Sequence, residues 1–185
     1  NKYVYNSATE QFSVGKRDPS KFDVVATGAN VGSDAHVSVD LGTGVTGYVT
    51  VNVDGVDYTI GLTDGAGSID ISGLAYGHYD VHATYLGNDE YATKVNNDKT
   101  FVMTKVDPAG IAILPIADVD YGETTTITVT VPDGITGTIT LKLNDSTEKT
   151  TTLTIVDGIV QWDVSGLAAD GYKVDATYNG NYKYA

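Results

Sequence analysis

The sequence predicts an all-β chain of two tandem β-sandwiches. Three observations carry that expectation. First, Leu74–Asn88 (L-A-Y-G-H-Y-D-V-H-A-T-Y-L-G-N) returns at Leu167–Asn181 (L-A-A-D-G-Y-K-V-D-A-T-Y-N-G-N), 93 residues on (167 − 74). Self-similarity at that period marks a repeated domain, and a chain of 185 residues holds two of them. Second, short stretches alternate apolar and polar residues with a period of two, the pattern of a half-buried strand. Third, turn residues punctuate these stretches at regular intervals, and no stretch carries a helical apolar face.

The first copy runs over residues 17–105. Lys21–Thr27 reads as its first strand. His36–Leu41 follows, with Val37, Val39 and Leu41 on one face, then Tyr48–Val53, with Val49, Val51 and Val53 on one face. Asp54-Gly55 is a two-residue hairpin signal, because type I′ turns need φ > 0 at both central positions. Val56–Leu62 is the return strand, and Ser68–Ile71 follows a Gly-rich turn. The repeated stretch supplies the next strand, with Tyr79, Val81, Ala83 and Tyr85 alternating against His78, Asp80, His82 and Thr84. Lys99–Lys105 is the last. A Leu, a tight turn and a Tyr opening a strand are the ingredients of a tyrosine corner, which makes Tyr79 and Tyr172 its candidates.

The second copy, residues 106–185, repeats the order: Ile111–Ile116, Thr124–Val131, Thr138–Leu143, Glu148–Ile155, Ile159–Val164 and Tyr172–Tyr178. No counterpart of Lys99–Lys105 follows, so the second copy is expected to lack a last strand of its own. Residues 1–16 supply the complementary feature. Gln11–Pro19 (Q-F-S-V-G-K-R-D-P) aligns with Thr100–Pro108 (T-F-V-M-T-K-V-D-P) at an offset of 89 (100 − 11), which places Phe12 and Val14 where Phe101 and Met103 stand. This leader has the pattern of a last strand with no domain before it. Phe12 and Val14 are the expected strand donors to the open domain of a neighbouring unit. The chain does not begin with Met and is read as a processed chain or a piece of a longer one.

Composition excludes several classes of function. Net charge is −13 and the only Arg is Arg17, which disfavours nucleic acid and anionic membranes as partners. The absence of Cys removes disulfides, thiol catalysis and zinc–thiolate sites. The longest apolar run, Ile111–Ala117, contains Pro115 and is too short to span a bilayer. No Gly-x-Ser-x-Gly elbow, His-Glu-x-x-His pair or phosphate loop occurs, and no enzyme is expected.

The remaining candidates are polar clusters. His78, Asp80 and His82 share one strand face, but residues two apart are about 6.7 Å apart. The two His therefore cannot meet on one metal, and a solvated face is the plainer account. His36 is read as a surface residue. Asp107, Asp118, Asp120 and Asp163 are candidates for a calcium site, with Ca²⁺ as the cofactor, although Asp in turns is explained by its bonds to nearby backbone N–H groups. Asn144-Asp145-Ser146 is a glycosylation acceptor pattern at a hairpin tip. Lys16 and Lys105 continue the inward phase of their strands, as an isopeptide-forming lysine would, against the simpler expectation that each snorkels out. Tyr3, Tyr5, Tyr91, Tyr182 and Tyr184 fall near domain ends, where recurrence suits a junction better than a sugar site. Trp162 alternates with Val160 and Val164 and is assigned to the core.

Taken together, Gly137–Leu141, Ser165–Leu167 and Gly171–Asn181, with Gly47–Val51 and Ser72–Asn88 in the first copy, resemble bacterial Ig-like repeats of the group 3 type. Such repeats occur in adhesin-like surface proteins of bacteria and methanogenic archaea. The resemblance departs at the hairpin and the Gly61–Gly67 turn, which are about three residues shorter in the first copy, and at Gly171, shifted by one relative to Gly77. It implies tandem Ig-like sandwiches, an extracellular, cell-surface location and a spacer or stalk role, with no catalytic residues to carry over. Two functions are therefore expected. One is a structural repeat unit of a surface filament or adhesin stalk, joined head-to-tail by strand complementation, either to copies of itself or to adjacent repeats of one longer chain. The alternative is an adhesin module that binds a carbohydrate or a cell-surface protein.

Overall fold

The structure, a computed structural model, describes residues 8–144 and 149–185. Among these residues there are thirteen strands and no helix. They are β1 (Asp23–Thr27), β2 (Ala35–Asp40), β3 (Gly47–Val53), β4 (Val56–Leu62), β5 (Ala66–Ile71), β6 (Gly77–Tyr85) and β7 (Lys94–Met103). The second copy follows with β8 (Ala112–Ile113), β9 (Thr125–Thr130), β10 (Thr138–Asn144), β11 (Lys149–Thr154), β12 (Ile159–Val164) and β13 (Lys173–Tyr178). The chain divides into two compact units. Among the described residues, one comprises residues 8–27 with Ala35–Ile71 and His78–Phe101; the other comprises Gly28–Asp34, Ser72–Gly77 and the rest of the chain from Val102 on.

The period-two pattern becomes two faces in each sheet. In the first copy the sheets are β1-β2-β5 and β4-β3-β6-β7. Val37 and Val39 of β2 are buried, as are Val49, Val51 and Val53 of β3 and Val81, Ala83 and Tyr85 of β6. The intervening residues face outward. In the second copy the sheets are β12-β9-β8 and β11-β10-β13. Ile127 and Val129, Ile139, Leu141 and Leu143, and Val160 and Val164 form one core drawn from both sheets, which makes it a sandwich. Each such side chain contributes on the order of 1.5–3 kcal/mol by burial. Trp162 packs against this core, half-buried.

The tight hairpin at Asp54-Gly55 has φ of 46° and 86°, the left-handed pair that a type I′ turn requires. The same dipeptide does the same work at Asp64-Gly65 (51°, 84°), inside the expected Gly61–Gly67 turn, and at Asp157-Gly158 (49°, 75°). Each closes a bridge, Thr63 with Ala66 and Val156 with Ile159.

Two strands differ most from expectation. β7 begins at Lys94, five residues before Lys99. Its early inward positions are polar, so the apolar alternation that signals a strand is missing. Lys94 Nζ donates to Pro19 O at 3.0 Å and Asn96 Nδ2 donates to Phe22 O at 2.9 Å, which satisfies carbonyls that a side chain of the usual kind would leave unpaired. Conversely, β8 is only two residues long where Ile111–Ile116 was expected. Leu114 N still donates to Thr128 O at 2.9 Å, but Pro115 has no N–H with which to continue the ladder.

Candidate functional site: the repeated clip and the open sheet edge

The Ala-Thr-Tyr-x-Gly-Asn signature builds the same clip twice. Tyr85 OH donates to Thr46 O at 2.9 Å, and Tyr178 OH donates to Thr136 O at 2.7 Å. Asn88 Nδ2 donates to the same Thr46 O at 3.2 Å, and Asn181 Nδ2 to Thr136 O at 3.0 Å. The Asn oxygens then hold the following turn. Asn88 Oδ1 accepts from Glu90 N and Tyr91 N, and Asn181 Oδ1 from Lys183 N and Tyr184 N. Each turn pairs with the entry of its own domain. Arg17 N donates to Glu90 O at 2.8 Å and Val106 N donates to Lys183 O at 2.9 Å. The clip thus ties the end of the signature strand to the start of its domain. Of its members, Asn88 and Asn181 close the repeated stretch but had no role assigned from the sequence, and Thr46 and Thr136 were not singled out. The signals were there, in Val-Thr-Gly at 45–47 against Ile-Thr-Gly at 135–137 and in the recurring Gly-Asn-x-x-Tyr.

Burial raises the phenol pKa of both clip tyrosines, with Tyr91 and Glu90 adding to the effect at Tyr85 and Tyr184 at Tyr178. The folded state therefore holds these protons more tightly than the unfolded chain. Stability from this source is complete below the ordinary tyrosine value of about 10 and is lost as pH rises through the folded value. Denaturant midpoints should accordingly fall above about pH 10. The fall should be shallower in Tyr85→Phe/Tyr178→Phe. An unchanged fall in that double variant would remove the two phenols from the explanation.

The two copies differ at one edge. In the first, β7 lies beside β6, and Phe101 stacks on Tyr79 at 5.2 Å between centroids. Val81, Ala83 and Tyr85 of β6 are 0 % exposed. In the second, β13 ends its sheet, with β10 as its one neighbour among the described residues. The matching Val174, Ala176 and Tyr178 are only half-buried. Beside Val174 opens a cleft of about 610 Å³ lined by Ile116, Val119, Tyr121, Leu143, Tyr172 and Val174 among others. Tyr121 is 83 % exposed on its rim. The leader residues Phe12 and Val14 are 91 % and 87 % exposed, and residues 8–16 form no strand.

The other sequence candidates are placed as follows. Tyr172 OH donates to Ala168 O at 3.0 Å, four residues upstream. Tyr79 is half-buried under Phe101. His78, Asp80 and His82 are all exposed. His36 is exposed and pairs through Nδ1 with Asp70 Oδ1 at 2.6 Å across β2 and β5, a partner the sequence did not suggest. Among the described residues, no group of three His, Cys, Asp or Glu side chains could hold a metal ion. Of the calcium candidates, Asp163 lies on β12 and accepts from Thr126 Oγ1 at 2.6 Å, Asp118 and Asp120 lie in the segment before β9, and Asp107 precedes β8. Lys105 Nζ sits 5.6 Å from the centre of the Tyr76 ring, and Lys16 is exposed. Tyr91 and Tyr184 belong to the clip turns, while Tyr182 is exposed. Asn144 ends β10; its side chain, with Asp145 and Ser146, lies outside the described residues, as do Tyr3 and Tyr5. No helix among the described residues is long and apolar enough to cross a membrane.

No family model and no curated protein matches the sequence. Among solved structures, the chain is similar to fibronectin(III)-like modules of Clostridium thermocellum CbhA, at 16 % identity over 84 % of this chain and 91 % of that one, with a TM-score of 0.37. It is similar to a two fibronectin type-III domain segment from chicken tenascin, at 11 % identity over 88 % of this chain and 100 % of that one, with a TM-score of 0.40. It is also similar to Bacteroides uniformis β-glucuronidase 3, at 15 % identity over 86 % of this chain but 23 % of that one, with a TM-score of 0.32.

Proposed function

We propose that this chain is a structural repeat unit of an extracellular surface filament or adhesin stalk, of the group 3 Ig-like kind, whose units join head-to-tail by strand complementation. The observation that carries this reading is the contrast between β6, covered by β7, and β13, which has no strand on its far side among the described residues. An open edge presents unpaired backbone groups and an unfilled apolar groove, which natural sandwiches avoid. The segment around Phe12 and Val14 matches β7 in sequence and is exposed on its own unit. Seating it on the second sandwich of the adjacent unit buries two apolar side chains, on the order of 1.5–3 kcal/mol each, alongside a row of main-chain bonds. Donation of this kind is head-to-tail and does not close on itself, so it builds a linear array.

The clips support the same role, because each fastens the end of a signature strand to the entry of its own domain and so suits a chain that transmits load along its length. The expected experiment compares the full chain with a variant lacking residues 1–15 and with Phe12→Asp, by sedimentation and electron microscopy. The full chain should form linear assemblies and both variants should not. Undiminished assembly of either variant would sink the proposal. Tight, selective capture of one glycan by the full chain would instead favour the adhesin binding module; each unit carries exposed rings of its own, Tyr48 in the first and Tyr121 and Tyr182 in the second.

A further inference from the structure

The first copy shows what its last strand touches on both sides. Besides lying next to β6, that strand is bonded at its end to the segment before β2. Val31 N donates to Thr104 O at 2.8 Å, and Thr104 N donates to Ala29 O at 2.9 Å. Asn30 and Thr104 form a parallel bridge, with Thr104 Oγ1 donating to Asn30 Oδ1 at 2.7 Å. The corresponding segment of the second copy is Val119–Tyr121, at an offset of 90 (120 − 30). The correspondence is geometric as well as sequential. Ser33 N donates to Asn30 O at 2.9 Å and Glu123 N donates to Asp120 O at 3.1 Å, while Gly32 and Gly122 have φ of 98° and 91°. Yet Val31 is 6 % exposed, and Tyr121, in its place, is 83 % exposed. Val119 and Tyr121 line one wall of the cleft whose other wall includes Tyr172 and Val174.

Building on the complementation reading above, we infer that the cleft is a two-sided strand slot with one register. Its occupant is the segment 11–16 of a second copy of this unit, with Gly15 bridged in parallel to Asp120 and Phe12 stacked on Tyr172. The register follows from the two offsets: Gly15 stands where Thr104 does, and Asp120 where Asn30 does. Phe12 stands where Phe101 meets Tyr79, and Tyr172 is the counterpart of Tyr79. Gly15 N and O then face Val119 O and Tyr121 N, as Thr104 N and O face Ala29 O and Val31 N. A strand bonded along β13 alone could slide by two residues without turning its apolar face outward. The wall at Val119–Tyr121 removes that freedom, because it pairs with one residue of the donor.

Because the chain has no Cys, engineered cysteines report this register directly. Gly15 has open space around its Cα, and Asp120 is exposed, so neither substitution disturbs a core. Chains carrying Gly15→Cys are mixed with chains carrying Asp120→Cys, and oxidised with copper phenanthroline. A Ser13→Cys chain replaces Gly15→Cys as the control: same strand face, but about 6.7 Å away along the strand. That is too far for a disulfide, whose Cβ atoms lie about 3.5–4.5 Å apart. The covalent heterodimer should form about tenfold or more faster with Gly15→Cys than with Ser13→Cys, as docking at a fixed effective concentration demands. Equal rates, or a faster Ser13→Cys reaction, would overturn the register while leaving complementation standing if Phe12→Asp still abolishes assembly. No heterodimer from either pair, with assembly indifferent to Phe12→Asp, would remove both.

Discussion

Tyr85→Ala is expected to cost the first sandwich about 3–5 kcal/mol, and Tyr85→Phe about 0.5–1.5 kcal/mol. The ring is 0 % exposed and lies opposite Val49 across β3 and β6, so truncation leaves a cavity in a rigid two-sheet core. The smaller figure is the hydroxyl bond to Thr46 O alone, which Asn88 Nδ2 continues to satisfy in its absence. Since a domain of this size is stable by about 5–15 kcal/mol, the Ala variant should approach unfolding of the first sandwich, and the Phe variant should not. Tyr178 makes the same bond, at 2.7 Å to Thr136 O, but is half-buried beside the open edge. Tyr178→Ala should therefore cost less than Tyr85→Ala. A urea titration followed by circular dichroism reads both. Equal losses at the two sites would mean that the open edge leaves the second core no weaker than the first.

Much of the architecture was legible because one physical signal, the period-two alternation, is strong in Val37–Val39, Val49–Val53 and Ile127–Val129, whose alternate side chains fill the cores. The Asp54-Gly55 turn was legible for a comparable reason, since few dipeptides tolerate two positive φ values in succession. Signals of a different kind were missed. The first turns of β7 are held by Lys94 and Asn96 reaching for carbonyls of Pro19 and Phe22, more than seventy positions away, and nothing local announces such bonds. Likewise the pairing of His36 with Asp70 depends on the register of β2 against β5, which fixes which residues face each other only after the sheet has formed. The clip lay between these extremes. Its residues recur at matching positions in both copies, but the reason, a single Thr carbonyl shared by a Tyr hydroxyl and an Asn amide, is a tertiary arrangement. At the open edge, the sequence suggested a missing strand, while the wall at Val119–Tyr121 that completes the slot is visible only by superposing one copy's bonds on the other.

That slot leads to the other large effect. A synthetic peptide spanning residues 8–18, added to the full chain carrying Phe12→Asp, should raise the lower of two melting transitions by about 10–20 °C and leave the upper one in place. The substitution disables the chain's own donor without touching either core, because Phe12 is 91 % exposed. The lower transition is expected to be that of the second sandwich, whose Val174, Ala176 and Tyr178 are half-buried where Val81, Ala83 and Tyr85 are fully covered. A ligand that binds only the folded form at about one hundred times its dissociation constant adds about 2.7 kcal/mol. In a domain of this size each kcal/mol moves the midpoint by about 4–8 °C, which gives the predicted range. A carboxylate in the place of Phe12 is costly to bury in an apolar groove, so the same peptide with Phe12→Asp should shift the transition little or not at all, whereas scrambling its charged ends should matter little. Differential scanning calorimetry at a series of peptide concentrations distinguishes the cases. A shift of the upper transition, or of neither, would show that the cleft beside β13 does not take this strand.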